Sequence, residues 1–195
     1  FFKLEEAMRR SGIQVEAGWH CVDIGASPGG WTQVLCQALV RERGRGRESE
    51  REIGGNTAGP LGKVLAVDPG ALLIEEAEHE GVFVHLKRLA SLSEDFLEGM
   101  RQELESSSGQ QLISMYVCDA NVHPEFAAKV LIHLQPLQAE DCWVVMSLKN
   151  FCGGHLRWEK EIEDVVRLLE SNGYSSCKVL HLFANAPKEK TLIAR

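Results

Sequence analysis

The segment CVDIGASPGGWTQVL, residues 21–35, joins an apolar run to an amphipathic run through a loop of small residues. Asp23 lies in the apolar run, and the loop contains Gly25, Gly29 and Gly30. Glycine is favoured where a ligand or another stretch of backbone approaches the chain closely. The segment therefore predicts a strand-to-helix corner at which a ligand lies against the backbone.

The spacing of the glycines indicates which class of nucleotide ligand such a corner can bind. A dinucleotide site requires G-x-G-x-x-G, whereas this loop reads G-x-x-x-G-G with Pro28 inside it. It is not a P-loop, because no G-K-[ST] follows. The loop suits a bulky uncharged or zwitterionic nucleoside, and S-adenosylmethionine fits that description. The carboxyl group of Asp23 is expected to pair with the ammonium group of this cofactor.

A second acid, Asp68 in AVDPGA, follows the next apolar run. In nucleotide-binding α/β folds, the acid that holds the ribose diol lies about 20 residues after the glycine motif. Asp68 lies 43 residues after Gly25, and removing the 22-residue segment 41–62 leaves 21. The spacing supports Asp68 as the ribose-binding acid and the segment 41–62 as an insertion.

The segment 41–62 is rich in Arg, Glu and Gly and has no apolar period, so it is predicted to be a flexible loop. One interpretation is an RNA-contacting arm, and the preferred alternative is a solvated loop whose glutamates cancel the arginine charges. The arginines concerned are Arg41, Arg43, Arg45, Arg47 and Arg51.

Short apolar runs alternate with segments of helical spacing along the rest of the chain. The predicted strands are 20–25, 63–68, 82–86, 112–119, 142–149, 175–183 and 190–195. The predicted helices are 31–42, 71–80, 93–105 with Ser93 as N-cap, 124–134, and 157–173 with Gly173 as the stop.

This pattern predicts an α/β fold with a seven-stranded, mostly parallel sheet and helices on both faces, ending in an antiparallel hairpin. Ligands of such sheets bind outside the carboxyl ends of the strands. Four charged residues occupy such ends and are the candidates for a site: Asp23, Asp68, Asp119 and Lys149.

The segment DIGASPGGWTQVL resembles motif I of the FtsJ-type ribose 2′-O-methyltransferases, which have the Rossmann-like class I S-adenosylmethionine-dependent fold. FKLEEAM, residues 2–8, resembles the opening helix of that family. VCDA, with Asp119, and SLKNF, with Lys149, resemble its motifs after the fourth and fifth strands. The similarity covers nearly the whole chain apart from 41–62 and is greatest to the bacterial RlmM branch, which methylates a cytidine ribose of large-subunit ribosomal RNA.

The resemblance implies a catalytic tetrad, which matches this sequence at Lys3, Asp119, Lys149 and Glu189. A ribose 2′-hydroxyl must lose its proton as it attacks, and a lysine accepts that proton only when burial or a neighbouring cation lowers its pKa. Lys149 is expected to be this base, with Lys3 nearby. Asp119 is expected to orient Lys149 and to approach the methyl end of the cofactor, and Glu189 to hold Lys3 or the ribose edge.

The cofactor is expected to contact the loop and the acids at the strand ends. The residues concerned are Asp23, Gly25, Ala26, Ser27, Pro28, Gly29, Gly30, Trp31, Asp68 and Asp119. For Trp31, packing of the helix on the sheet is the preferred interpretation. The family's acid after the third strand has no counterpart in LKRLAS, where Leu89 or Ala90 takes its place. Either Asp95 or a backbone group substitutes, or cofactor affinity is reduced.

Composition and net charge limit the number of domains and the extent of an RNA-binding surface. The chain of 195 residues, 44% of them hydrophobic, is predicted to be one domain of a longer protein that begins before Phe1. A net charge of −7 argues against a broad RNA-binding surface but allows a modest basic rim. That rim would comprise Lys3, Arg9, Arg10, Lys149, Arg157 and Lys160.

The six cysteines show no C-x-x-C pattern, and no histidines have metal-binding spacing. Reduced, structural cysteines in an intracellular and most simply cytoplasmic monomer are therefore expected, with neither metal nor membrane as partner. The leading function is methylation of an RNA ribose, most simply in ribosomal RNA. A ribosome-assembly factor that binds RNA with little or no turnover is the alternative, and a nicotinamide-dependent oxidoreductase is disfavoured by the glycine spacing.

Overall fold

The computed structural model describes residues 1–53, 62–74, 81–106 and 109–195, with side chains described outside 46–53, 106 and 109–110. Its helices are α1 (Phe2–Ser11), α2 (Gly30–Ile53), α3 (Glu94–Leu104), α4 (Pro124–His133) and α5 (His155–Ser171), with a 3-10 turn at Gln135–Leu137. Its strands are β1 (His20–Ile24), β2 (Lys63–Val67), β3 (Phe83–Leu86), β4 (Glu105–Ser106), β5 (Gly109–Gln110), β6 (Ile113–Cys118), β7 (Gln138–Lys149), β8 (Lys178–Leu180) and β9 (Glu189–Ala194).

Seven strands form one sheet in the order β3-β2-β1-β6-β7-β9-β8, and β4 pairs with β5 separately. The five strands from β3 to β7 in this order run parallel, whereas β9 runs antiparallel to both β7 and β8. The predicted fold class is therefore confirmed, including the antiparallel C-terminal hairpin. The chain order reverses between β1 and β6, and a crevice at such a reversal is where α/β folds bind ligands.

Alternate residues of the strands supply two separate apolar cores, one on each face of the sheet. Helices α1 and α2 cover one face, where the buried strand residues are Cys21, Val64, Met115, Val117, Val145 and Ile193. Helices α3, α4 and α5 cover the other face, over Val22, Leu65, Tyr116, Val144, Met146 and Leu192. The face that each strand residue takes is thus set by its parity, and this also decides which strand-end side chains meet.

The bounds of several predicted elements differ from the structure. The loop predicted at 41–62 begins later, because α2 continues to Ile53. Arg and Glu are good helix formers, and Arg45 pairs with Glu42 at 2.6 Å. A polar helix of this kind carries no apolar period, so periodicity missed it; residues 54–61 lie outside the described part.

The helix predicted at 71–80 does not start at 71, since residues 71–74 are not helical. The backbone N–H of Leu73 instead donates to the carbonyl of Pro28 at 2.7 Å, and residues 75–80 lie outside the described part. This tertiary hydrogen bond overrides local helical spacing. Strand β7 also begins at Gln138, four residues before its predicted start at 142.

Two other local predictions are confirmed, the N-cap of α3 and the glycine stop of α5. Ser93 caps α3 by accepting a hydrogen bond from the N–H of Phe96 at 3.2 Å. Gly173 follows α5 with a φ of 91°, in the left-handed region expected of a helix stop. All six cysteines are free, and four of them are buried. Within the described ranges, no helix is both long and apolar enough to cross a bilayer.

Candidate active site

The four tetrad residues meet because their strand positions have the same parity. Asp119 follows β6 on the face of Val117, and Lys149 ends β7 on the face of Val145. Glu189 opens β9 and lies directly opposite Lys149 in the β7–β9 register. All three side chains therefore turn towards the face covered by α1, the helix that carries Lys3.

Helix α1 is held over this face by apolar and polar contacts. Leu4 and Ala7 are completely buried against the sheet. The carboxylate of Glu6 accepts hydrogen bonds from the backbone N–H groups of Phe183 and Ala184, at 3.0 and 3.2 Å. These bonds tie α1 to the loop before β9, and so fix Lys3 relative to the strand ends.

Lys3 is the centre of the cluster. Its Nζ lies 3.0 Å from Oδ1 and 3.2 Å from Oδ2 of Asp119, and 2.9 Å from Oε2 of Glu189. Burial lowers the pKa of Lys3, but the two carboxylates outweigh burial, so the pKa ends above its ordinary value. Lys3 therefore stays protonated at neutral pH and acts as a fixed cation between two acids.

Lys149 approaches the same acid from the other side. Its Nζ donates to the backbone carbonyl of Asp119 at 2.9 Å and lies 3.4 Å from Oδ1 of that residue. The side chain of Lys149 is 18% exposed, so its amine is still accessible to an incoming group. The tetrad thus brings two lysines and two carboxylates together, and Lys149 is the more exposed of the two lysines.

Ser147 contacts the tetrad, and the sequence analysis missed it. It is 3% exposed, and its Oγ lies 3.4 Å from Nζ of Lys3. Ser147 precedes Lys149 by two residues, so both share one face of β7. This period of two could have indicated Ser147 from the sequence. However, a serine in the apolar run CWVVMSLK cannot be distinguished by pattern from a residue that only packs in the core.

A cavity of about 730 Å³ opens beside the tetrad. It lies at the carboxyl ends of β1, β2, β6 and β7, where the fold predicts a ligand. Its lining includes Gly25, Ser27, Asp68, Leu89, Asp119 and Lys149. Asp119 and Lys149 therefore belong both to the tetrad and to the cavity wall.

Only some of the loop residues that were expected to contact a cofactor line the cavity. Gly25 and Ser27 line the cavity. The others expected to contact a cofactor lie elsewhere among the described residues: Ala26, Pro28, Gly29, Gly30 and Trp31. Trp31 is 5% exposed in the core below α2, which agrees with its preferred interpretation as a packing residue.

The glycines allow close approach of protein segments. A Cβ at Gly25 would lie 2.5 Å from Cα of Ala120, and a Cβ at Gly29 would lie 2.6 Å from a side-chain carbon of Ile74. Both glycines have positive φ, 77° and 119°. The loop therefore needs glycine for its backbone conformation and for its packing against the chain.

Asp23 is completely buried beneath the loop and is not among the described residues that line the cavity. Its Oδ2 accepts a hydrogen bond from Oγ1 of Thr32 at 2.6 Å, while its Oδ1 has no hydrogen-bond partner among the described residues. Burial raises the pKa of Asp23 to about 7, although the hydrogen bond from Thr32 acts in the opposite direction. The carboxyl group thus has an unsatisfied oxygen and titrates near neutral pH.

Asp68 reaches the cavity directly. Its Oδ1 accepts a hydrogen bond from the N–H of Gly70 at 2.7 Å, which orients the carboxylate at the end of β2. After β3, Leu89 and Ala90 line the cavity where the resembled family has an acid. Asp95 lies exposed in the first turn of α3 and outside the described cavity lining, so it does not substitute for that acid.

Comparison with known proteins agrees with this geometry. The sequence model of the FtsJ-like methyltransferase family matches residues 1–188. The ribosomal RNA large subunit methyltransferase M of Halorhodospira halophila is 44% identical over 71 residues, 35% of this chain and 18% of that protein. The ribosomal RNA large subunit methyltransferase E of Nitrosomonas eutropha is 28% identical over 149 residues, 69% of this chain and 59% of that protein.

Among solved structures, the fibrillarin of Aeropyrum pernix, with natively bound S-adenosyl-L-methionine, has the same fold. Its TM-score is 0.61 at 16% identity, over 99% of this chain and 74% of that one. The chain spans less than two thirds of the length of the two curated relatives. The family match extends from α1 to the loop before β9 and confirms the resemblance found in the sequence, so the chain belongs to the FtsJ-like methyltransferase family.

Proposed function

We propose that this chain is the catalytic domain of an RNA ribose 2′-O-methyltransferase that uses S-adenosylmethionine and acts on ribosomal RNA. The observation that carries the proposal is the contact of Lys3, Asp119, Lys149 and Glu189 beside a nucleoside-sized cavity. Both curated relatives are named as ribosomal RNA methyltransferases, which supports the substrate class.

The cavity fits the proposed cofactor. Its volume of about 730 Å³ lies within the usual range of about 300 to 1,000 Å³ for small-molecule sites. The carboxylate of Asp68 stands where a ribose diol is held in related folds, and Leu89 and Ala90 offer an apolar wall for a base. The unsatisfied Oδ1 of Asp23 supplies negative potential from beneath the loop rather than a direct contact.

The residues of the tetrad divide the remaining work. The bound cofactor supplies an electrophilic methyl group on a sulfonium. Lys149 accepts the proton of the ribose 2′-hydroxyl as that oxygen attacks. Lys3, held protonated by its two acids, fixes the carboxylate of Asp119, and Asp119 orients Lys149 through its backbone carbonyl. The chemistry is then largely alignment of the reacting atoms.

The alternative of an assembly factor without turnover has less support. A protein that only binds RNA needs no buried lysine between two carboxylates, and such groups cost free energy when they are removed from water. Here Lys3 is 12% exposed and has ion-pair partners in both Asp119 and Glu189. The complete tetrad therefore favours catalysis.

The test is transfer of a tritiated methyl group from S-adenosylmethionine to ribosomal RNA that lacks the modification, prepared from cells without this gene. A 2′-O-methyl group blocks alkaline cleavage of the adjacent phosphodiester bond. We expect the label in alkali-resistant dinucleotides. Label released as mononucleotides would show base methylation instead, and no label in any RNA would refute the proposal.

Two matched variants connect this activity to the tetrad. Asp119→Asn removes the negative charge that Lys3 and Lys149 share, and should reduce the incorporated label to background. Asp95→Asn makes the same chemical change on the exposed first turn of α3 and should leave the label unchanged. Equal activity of the two variants would show that methyl transfer does not depend on the tetrad.

A further inference from the structure

A second cavity, of about 610 Å³, is lined by the segments that follow β6 and β7 and by α5. Two short segments contribute to both cavities. After β6, Val122 lines the first cavity and His123 lines the second. After β7, Lys149 lines the first and Phe151 the second. Asp119 and Lys149 therefore line the cofactor-sized space and are only a few residues along the chain from the wall of a further space of similar size.

The wall of this second cavity includes a pair of parallel rings. His123 and Phe151 stack with their centroids 6.1 Å apart and an angle of 22° between their planes. Phe151 is 50% exposed, so a large part of its ring is open to solvent. An exposed aromatic face beside a cavity is the feature on which proteins stack unpaired nucleobases.

Polar contacts fix the turn after β7 and bring Glu161 against His123. Oδ1 of Asn150 accepts bonds from the N–H groups of Cys152 and Gly153, at 3.0 and 3.2 Å, and so fixes the turn that presents Phe151. Nε2 of His123 lies 2.6 Å from Oε1 of the largely buried Glu161, although it is not aligned for a hydrogen bond. Cys152 donates to the other oxygen of the same carboxylate. Such preorganisation lowers the entropic cost of binding.

The charges of the cavity also favour a nucleotide. Two of its acids form ion pairs, Glu125 with Lys129 at 2.6 Å and Asp164 with Arg167 at 3.3 Å, and a third, Glu161, contacts His123. Arg157 and Lys160, both on α5, line the same cavity. In the described ranges neither of these two forms an ion pair, so both are available to a phosphate group.

We propose that this second cavity binds the acceptor nucleotide of the RNA. Its base stacks on Phe151 and His123, and its phosphates contact Arg157 and Lys160. The 2′-hydroxyl then points back to Lys149. Because the base must leave its helical stack to reach the rings, the substrate class is a single-stranded or looped RNA nucleotide. The inference rests on the proposed function and names the substrate contacts of the same site.

The test compares aromatic substitutions with a matched control. Phe151→Ala removes the stacking face, whereas Phe151→Trp retains one. Phe183→Ala removes another exposed ring, 91% exposed, that lines neither cavity. The measurements are affinity for short single-stranded RNA of mixed sequence, KM and kcat for ribosomal RNA, and affinity for S-adenosylmethionine.

We expect Phe151→Ala to weaken RNA binding and raise the RNA KM about tenfold or more, the usual effect of losing one stacked base. Phe151→Trp should retain most of the wild-type affinity, and cofactor affinity should be unchanged in all three variants. Duplex RNA should bind weakly to every protein. An unchanged RNA KM in Phe151→Ala, or an equal loss in Phe183→Ala, would overturn the inference.

Arg157→Ala and Lys160→Ala should weaken RNA binding and reduce its dependence on salt. Arg167→Ala, on the same helix but already paired with Asp164, should not. Equal salt dependence in the three variants would contradict the phosphate contacts. If the wild-type protein methylates ribosomal RNA while Phe151→Ala behaves as wild type, the inference fails and the proposed function stands. If wild type transfers no methyl group, the proposed function fails.

Discussion

The tetrad and the glycine loop, residues 25–30, are positioned by opposite means. Tetrad residues come from four places in the chain, and Lys3 reaches Glu189 across 186 positions. They hold one another through ion pairs and hydrogen bonds between 2.9 and 3.4 Å. The loop is contiguous and is shaped by positive φ angles and by the absence of side-chain volume.

Because of this difference, we expect substitutions in the tetrad and in the loop to affect different properties of the protein. Replacing a tetrad side chain changes charge and proton transfer while leaving the backbone supported by the sheet. Replacing a loop residue forces neighbouring backbone to move, because atoms of Ala120 already occupy the space next to Gly25. Substitutions in the tetrad should therefore act first on rate, and substitutions in or under the loop on stability.

The largest effect is expected at Lys149. Lys149→Ala removes the proton acceptor and should lower kcat about 10²- to 10⁴-fold, since general bases contribute about that much. Lys149→Arg keeps a positive charge near Asp119 but cannot release its proton at neutral pH, so it should be nearly as inactive. Methyl transfer to ribosomal RNA and calorimetric binding of S-adenosylmethionine are the measurements.

Lys178→Ala is the matched control, since Lys178 is an exposed lysine on β8, at the far edge of the sheet. It should retain wild-type kcat. Wild-type activity in Lys149→Arg would show that Lys149 contributes charge alone and accepts no proton. Loss of cofactor binding in Lys149→Ala would place its role in the first cavity instead.

The next largest effect concerns Asp23 beneath the loop. Burial raises its pKa to about 7, whereas an unfolded aspartate titrates near pH 3.9. Between these values the folded protein keeps a proton that the unfolded chain has released, so this group lowers the free energy of unfolding as pH rises. Asp23→Asn retains an acceptor for Thr32 and cannot ionise, so its stability relative to wild type should rise by up to about 4 kcal/mol as the pH increases from about 4 to above 7.

Urea unfolding of wild type and Asp23→Asn across about pH 4 to 8 measures the difference, and other titrating groups cancel in it. The variant should also bind S-adenosylmethionine more weakly above pH 7, if the negative potential below the loop attracts the cofactor. Parallel stability profiles of the two proteins would show that Asp23 titrates normally.

A smaller effect is expected from adding one methyl group at two left-handed glycines. Gly12, at the end of α1, has a φ of 67°, and a Cβ there would have no atom of the described residues within 4 Å, whereas a Cβ at Gly25 would clash with Ala120. Gly12→Ala should therefore cost only the backbone strain, about 1 kcal/mol. Gly25→Ala should cost about 3 kcal/mol, because overpacking adds to that strain.

Equilibrium unfolding in urea tests this pair directly. Adding Ala120→Gly to Gly25→Ala should recover only part of the loss, because N and Cα of Ala120 also lie within 2.7 Å of the added Cβ. Equal costs at Gly12 and Gly25 would mean that the segment around Ala120 yields easily. The loop would then not be limited by close packing, and the proposed contrast with the tetrad would be wrong.

Periodicity and strand ends were enough to predict the sheet, the two helical layers and the acids at the strand ends. The polar part of α2 was missed because Arg and Glu carry no apolar period. The start of the helix predicted at 71 failed for a different reason, since Leu73 bonds to Pro28 in the distant loop. Such contacts are decided by the tertiary fold, which no local pattern contains.

The candidate site, too, was predictable only in part from the sequence. The resemblance supplied the four tetrad residues, and the structure brings them into contact. The sequence could not predict that Asp23 would be sealed below the loop while Asp68 reaches the cavity, since both are acids near strand ends. Ser147 and the ring pair of His123 and Phe151 were missed because their roles depend on neighbours from other strands.

The smallest effect is expected at Ser147, which contacts the tetrad without being part of it. Its hydroxyl is 3.4 Å from Nζ of Lys3, a long hydrogen bond, so Ser147→Ala should cost about 1 kcal/mol of stability. Thr191 lies directly opposite in the β7–β9 register, is equally buried, and bonds to Asn185 instead of to Lys3. Thr191→Val should cost a similar amount of stability.

Only kcat separates these two variants. Ser147→Ala frees Lys3 to shift between its two carboxylates, and a few-fold fall in kcat with unchanged KM should follow. Thr191→Val should leave kcat at the wild-type value, because its hydroxyl does not touch the tetrad. Equal falls in kcat would mean that methyl transfer depends on the general rigidity of β7 and β9, and the tetrad would then be no more independent of its surroundings than the loop.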